Sequence, residues 1–207
     1  LFLLGCLFFI LVFLGVLGPV PSKTQLQQIN NPLASEVYSV DGKILGRYYV
    51  ENRSYATFDE ISPNVINALV ATEDARFYEH RGIDEIALAR VLFKSIILRN
   101  DAAGGGSTIS QQIAKNLFPR VDYGPFSMPV NKLREAIIAY RLERIYNKQE
   151  ILALYLNTVS FAENIFGIEV AAERFFSKSP KSLDVHEAAV IVGMLKANNY
   201  YNPRTHP

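Results

Sequence analysis

Residues 73–82 read Glu73-Asp74-Ala75-Arg76-Phe77-Tyr78-Glu79-His80-Arg81-Gly82. Two adjacent carboxylates stand where an apolar helical stretch ends, and a lone His follows seven residues after the first. Upstream, Ser62-Pro63 marks a helix start, with Ser at the N-cap and Pro at the first helical position, and Val65, Leu69 and Val70 carry that helix toward Glu73. Downstream, Gly105-Gly106-Ser107-Thr108-Ile109-Ser110-Gln111-Gln112 supplies a glycine turn, hydroxyls and paired amides, and opens a second helix that reaches Lys115. Carboxylates followed by hydroxyls, amides and a lysine point to sugar or acyl chemistry on an anionic, hydroxyl-rich substrate.

The charges along the chain sharpen that reading. A net charge of +1 is too small to suggest a nucleic-acid partner. Between Glu51 and Glu85 acids outnumber bases, whereas between Arg90 and Lys148 the balance reverses through residues such as Lys115, Arg120, Lys132 and Arg134. A carboxylate segment followed by a cationic one is what a base beside a phosphate site requires. A hydrolase of sugar–sugar bonds protonates a poor leaving group and uses a second carboxyl group to do so. A transferase acting on a sugar diphosphate needs cations at the leaving group and a base at the attacking hydroxyl, and the order of charges here fits that scheme better.

Periodicity predicts further helices at 84–99, 108–118, 131–146, 149–156, 167–176 and 184–197. In the second of these, Ile109, Ile113 and Leu117 form a buried stripe and Ser107 can cap the start. In the third, Lys132 and Glu135 share a face beside an apolar face of Leu133, Ile137 and Tyr140. Asp184 and Glu187 read as a variant capping box for the last helix. Val37 to Val40 and Ile44 to Tyr49 flank Asp41-Gly42, a hairpin signal. The run from Phe118 to Pro129, with three Pro and one Gly, reads as an irregular loop that touches lipid.

From Leu1 to Ser22 there is no charge, a length that matches a membrane-spanning helix better than a secretory leader. A cleaved signal peptide and a lipoprotein signal built on Cys6 are the alternatives. The absence of charge between Lys23 and Glu36 agrees with an exported C-terminal side. Cys6 is the only cysteine, so no disulfide forms within the chain. The expected organisation is an anchor over 1–22, a linker with a β-hairpin over 23–58 and a catalytic domain over 59–207, whose last residues, Tyr201 to Pro207, read as cut short.

The chain resembles the peptidoglycan glycosyltransferases of glycosyltransferase family 51, found at the front of class A penicillin-binding proteins and in monofunctional transglycosylases. The resemblance rests on the two blocks quoted above, on Lys132-Leu133-Arg134-Glu135, and on Glu150 to Asn157 followed by Gly167 to Ala172 and Phe175-Phe176. A fainter echo runs from Gly193 to Ala197 and through Tyr201-Asn202-Pro203. It implies a mainly α, lysozyme-like domain with an N-terminal transmembrane helix and a small β-hairpin linker, polymerising lipid II with release of undecaprenyl diphosphate. On the matching positions it implies Glu73 as the general base and Glu135 as a second catalytic glutamate. Lys115, Lys132, Gln112, Ser107, Thr108 and Arg134 become substrate-binding residues. Asp74, Phe77, His80 and Gly82 match the motif without an assigned chemical step, and Asp74 and His80 read as architectural.

The resemblance further implies Mg2+ or another divalent cation at the diphosphate, although no spacing here makes a dedicated metal site. The implied partners are lipid II, the growing lipid-linked glycan, the membrane and other cell-wall synthesis proteins. The implied location is the inner membrane, single-pass, with the catalytic domain on the periplasmic side. Departures from the family pattern are Asn131 where an Arg is usual, leaving Arg134 or Arg120 to take its place, Phe161-Ala162 where a Gly is common, and Asn198 where a Pro is expected. No Ser-x-x-Lys occurs that could serve as a penicillin-binding nucleophile. A glycan-cleaving enzyme and a non-catalytic, membrane-tethered lipid II-binding scaffold are the other readings.

Overall fold

The computed structural model describes residues 2–29, 35–38, 44–48, 55–97, 106–163, 165–197 and 200–205. They are mainly helical and fall into two compact units, one formed by Leu1–Ile29 with Glu73–Ile151, the other by Asn30–Thr72 with Leu152–Pro207.

The first unit opens with α1 (Phe2–Phe13) and the short α2 (Lys23–Gln27). The helix expected over 1–22 is therefore broken. Gly15 and Gly18 take positive φ of 75° and 100°, a conformation open to glycine, and Pro19 and Pro21 remove backbone donors, so the chain turns before Ser22 caps α2. Among the described residues no helix is long and apolar enough to cross a membrane. The segment is stitched instead to α6 (Ser127–Leu142): Arg134 donates to the Pro19 carbonyl, Arg141 to that of Pro21, and Val12 is buried with Val130 and Ile137.

Between them lie α4 (Glu85–Ile97) and α5 (Ile109–Leu117), and α5 packs on α6. Ile109 and Ile113 are fully buried as expected, while Leu117 is half-buried and Tyr140 of α6 is exposed, with Arg144 over its ring. α6 begins four residues earlier than its pattern suggests. The Asp122 carboxylate accepts from the Gly124 amide and the Ser127 hydroxyl, folding Gly124 to Phe126 into a 3-10 turn that leads into the helix. Pro129 falls in the first turn, where an N–H has no helical partner to lose. α6 also ends earlier, at Leu142, and residues 143–146 form turns.

In the second unit, β1 (Ser35–Tyr38) and β2 (Ile44–Tyr48) pair antiparallel, as the hairpin signal predicts; the Asp41-Gly42 turn itself, with Val40 and Tyr49, lies outside the described residues. α3 (Pro63–Glu73) starts where Ser62 donates its hydroxyl to the Leu183 carbonyl, and its last residue, Glu73, belongs to the first unit. α7 (Lys148–Thr158), whose residues up to Ile151 belong to the first unit, is buried from Ile151 onward, and Asn157 clamps the Ala56 peptide through both its amide groups. A second small hairpin, β3 (Ser160–Ala162) with β4 (Ile165–Phe166), escaped the helical reading. Its Ala162 has φ 135°, which gives a physical reason for glycine to be common at that place. Glu163, also at positive φ, accepts from Asn202, Arg174 and Arg204; the Asn202 amide first, then Arg174, hold its carboxyl below the usual glutamate range. α8 (Ile168–Phe176) and α9 (Val185–Lys196) follow, the latter with the predicted Asp184 and Glu187 capping box; Asn198 lies outside the described residues.

Candidate active site

Most of the residues singled out from the sequence gather in the first unit, about α5 and the facing side of α6. Thr108, not Ser107, is the N-cap: its hydroxyl accepts from the Gln111 amide while the Gln111 side chain accepts from the Thr108 amide. The same hydroxyl donates to the Gly82 carbonyl at 2.7 Å. Gly105 lies outside the described residues.

Asp74 is buried and faces the first turn of α5, where its Oδ2 accepts from the Ile109 amide at 3.0 Å. A carboxylate at the amino end of a helix satisfies a free N–H and complements the helix dipole. His80 Nε2 lies 3.0 Å from both Asp74 oxygens, and the Gly82 amide donates to Nδ1. Nδ1 is thus the acceptor, so Nε2 carries the proton given to Asp74. Phe77 is fully buried beneath this turn, with Lys148 Nζ 4.2 Å from its ring centroid. Gly82 has φ +90°, and a methyl there would come within 2.8 Å of the Ala139 backbone of α6. Asp74, Phe77, His80 and Gly82 are thus brought together as a brace.

On this brace stands Glu73, half-buried, its Oε2 accepting from Gln112 Nε2 at 2.8 Å. Its hydrogen-bond donor is a neutral amide. The neighbouring acids differ. Glu135, nearly buried, accepts from Arg120 Nε at 2.8 Å and meets Lys132 Nζ at 2.9 Å on its other oxygen. Lys132 also donates to Ser107 Oγ at 3.0 Å. Lys115 is exposed on the last turn of α5. Arg134 is not with them: it is buried and bound to Asn131 and the Pro19 carbonyl.

Two features escaped the sequence reading. Glu143, half-buried as a residue but with its side chain only 4% exposed, accepts the Ser110 hydroxyl at 2.6 Å and pairs with Lys148 at 2.7 Å, and Lys148 in turn donates to the His80 carbonyl at 2.7 Å. Asn131, noted only as a departure, accepts from the Val121 amide and donates to the Val121 carbonyl. No local pattern marks either. A divalent cation does not fit at Glu135, whose two oxygens are already engaged by cations, and among the described residues no cluster of three acidic, His or Cys side chains could hold one.

With this geometry in view, residues 41–207 match the family model described as Transglycosylase. The chain belongs to the transglycosylase family. It is 38% identical over 96% of its length to penicillin-binding protein 1A of Aquifex aeolicus, covering 27% of that protein. It is 35% identical over 89% of its length to penicillin-binding protein 1A of Escherichia coli, covering 21% of it, and 39% identical over 84% to penicillin-binding protein 1F of Bacillus subtilis, covering 24%. The transglycosylase chain therefore spans about a quarter of the length of these relatives. The family match begins at residue 41, inside the segment expected as a linker.

Proposed function

We propose that this chain is a peptidoglycan glycosyltransferase that polymerises lipid II into β-1,4 glycan strands on a lysozyme-like fold. One observation carries the reading: among clustered acids, Glu73 accepts a hydrogen bond from a neutral amide, whereas Glu135 is bracketed by two cations. Glu73 takes the proton from the 4-hydroxyl of the acceptor sugar as that oxygen attacks the anomeric carbon of the growing chain with inversion. Gln112 orients the base. The bond to undecaprenyl diphosphate breaks, and Lys132 and Ser107 receive the charge that develops on the leaving oxygens. Glu135 acts through the cations it holds and does not itself touch the sugar.

A glycan-cleaving enzyme would need a second carboxyl group able to give a proton. Asp74, Glu135 and Glu143 accept hydrogen bonds or ion pairs on both oxygens, which argues for the transferase. Support for work at the periplasmic face of the inner membrane comes from the uncharged first 22 residues and from exposed Val121, Phe126 and Met128 in and beside the 118–126 segment.

The test is incubation of the detergent-solubilised chain with labelled lipid II, beside Glu73→Gln, with products resolved by size. Polymer from the wild type and none from the variant supports the assignment; full activity in Glu73→Gln removes the base. Cleavage of finished glycan in place of polymerisation would mark a hydrolase, and binding of lipid II without turnover a scaffold.

A further inference from the structure

We infer that Arg120 is a diphosphate-binding residue of this site and that Asn131 is the residue that positions it; the inference rests on the proposed function. Arg120 leaves the end of α5 in irregular backbone, where a long cationic side chain would ordinarily sample many rotamers. Here it is fixed. Its Nε donates to Glu135 Oε1 at 2.8 Å, and Nη1 lies 3.7 Å from Met128 Sδ. The residue after it is gripped through both backbone groups: the Val121 amide donates to Asn131 Oδ1 at 3.1 Å and the Val121 carbonyl accepts from Asn131 Nδ2 at 2.7 Å. Asn131 is buried, and its Nδ2 also donates to the Ser127 carbonyl at 2.7 Å, so the grip is anchored in the first turn of α6.

The consequence is a pair of cations with one counter-charge. Lys132 and Arg120 bind opposite oxygens of Glu135, whose side chain is 5% exposed, while their own side chains are 41% and 35% exposed. The carboxylate holds both from behind, and the cluster keeps one net positive charge facing outward beside the Ser107 hydroxyl. Guanidinium and ammonium groups held side by side suit a dianionic or trianionic phosphate ester. Arg134 of α6 cannot serve, being committed to Pro19 and Asn131.

The experiment titrates the full chain with inorganic diphosphate and compares wild type, Arg120→Ala, Arg120→Lys, Lys132→Ala, Asn131→Ala and the Arg120→Ala/Asn131→Ala double variant, with circular dichroism as the check on folding. Arg120→Ala is expected to weaken binding roughly ten- to a hundredfold, the range of a charge-assisted hydrogen bond. Arg120→Lys should recover part of that loss. Asn131→Ala should weaken binding in the wild type and add nothing in the Arg120→Ala background, a non-additivity that general destabilisation would not produce. Wild-type affinity in folded Arg120→Ala, with loss in Lys132→Ala, overturns the inference while leaving the transferase intact. No saturable binding by the wild type also overturns it, and polymerisation of lipid II then decides the proposed function separately.

Discussion

Gly82→Ala tests whether the brace beneath Glu73 depends on backbone contact. Two effects add. An L-residue in the left-handed region costs about 1–2 kcal/mol, and Gly82 sits at φ +90°. The new methyl would also lie 2.8 Å from the carbonyl carbon and oxygen of Ala139, a fully buried position inside α6 that has nowhere to yield. Overpacking of that kind costs about 1–3 kcal/mol. Alanine's smaller unfolded-state entropy returns about 0.4–1 kcal/mol, leaving a net loss of about 1–4.5 kcal/mol, centred near 3. Gly124→Ala is the control, because Gly124 also has positive φ, 57°, but a methyl there meets nothing within 4 Å. That variant should lose only about 1 kcal/mol. Urea unfolding followed by circular dichroism, with a slope of about 2 kcal/mol/M, should place the Gly82→Ala midpoint on the order of 0.5–2 M below wild type. On the proposed function, turnover of lipid II should fall too, since Gly82 also carries the amide that orients His80 and the carbonyl that receives Thr108. Equal midpoints for the two glycine variants would refute the close-approach argument.

The Glu143 and Lys148 pair, half-buried with its carboxylate only 4% exposed, should behave asymmetrically: Lys148→Met leaves that carboxylate without its cation and should cost up to about 3–5 kcal/mol in the same assay, whereas adding Glu143→Leu should restore most of it. Failure of the double variant to recover would show that the link from Lys148 to the His80 carbonyl matters more than the charge pair. Glu163 gives a pH signature. Its folded carboxyl titrates below the ordinary value of 4.5, so its contribution is complete above that value and is lost as pH falls through the lowered one. Thermal midpoints at pH 7 and pH 3 should therefore converge in Glu163→Gln relative to wild type, and an unchanged difference would contradict the assignment.

What could be read from the chain was what local chemistry decides. Ser62-Pro63, the Asp184 and Glu187 box and the Ile109 and Ile113 spacing each act within one or two helical turns, and each element formed where its signal stood. Over the first 22 residues hydropathy averages across Gly15 and Gly18, whose backbone geometry ends α1 short of the expected length. Pro129 misled in the opposite sense, since a proline that breaks a helix interior is neutral in its first turn. Within the candidate site, the motif named Glu73, Gln112 and Lys132, and the structure joins Glu73 to Gln112 and Lys132 to Glu135, but the sequence did not say which of two arginines meets that carboxylate. Arg120 and Arg134 carry the same charge, and only the tertiary partners, Glu135 for one and Pro19 for the other, distinguish them.

The pairing of Glu73 with Asp74 has a further consequence for turnover. Asp74 is the fastener, tied to α5 and His80, and Glu73 is simply its covalent neighbour. In the proposed reaction the backbone of Glu73 keeps its place through the peptide that precedes Asp74, and the hydrogen bond from Gln112 sets only where its carboxylate points. An arriving sugar hydroxyl can displace that amide and be deprotonated while the backbone stays still. The same carboxyl group can then shed its proton and reset, once per sugar added, without the surrounding helices having to loosen and re-form along the growing strand.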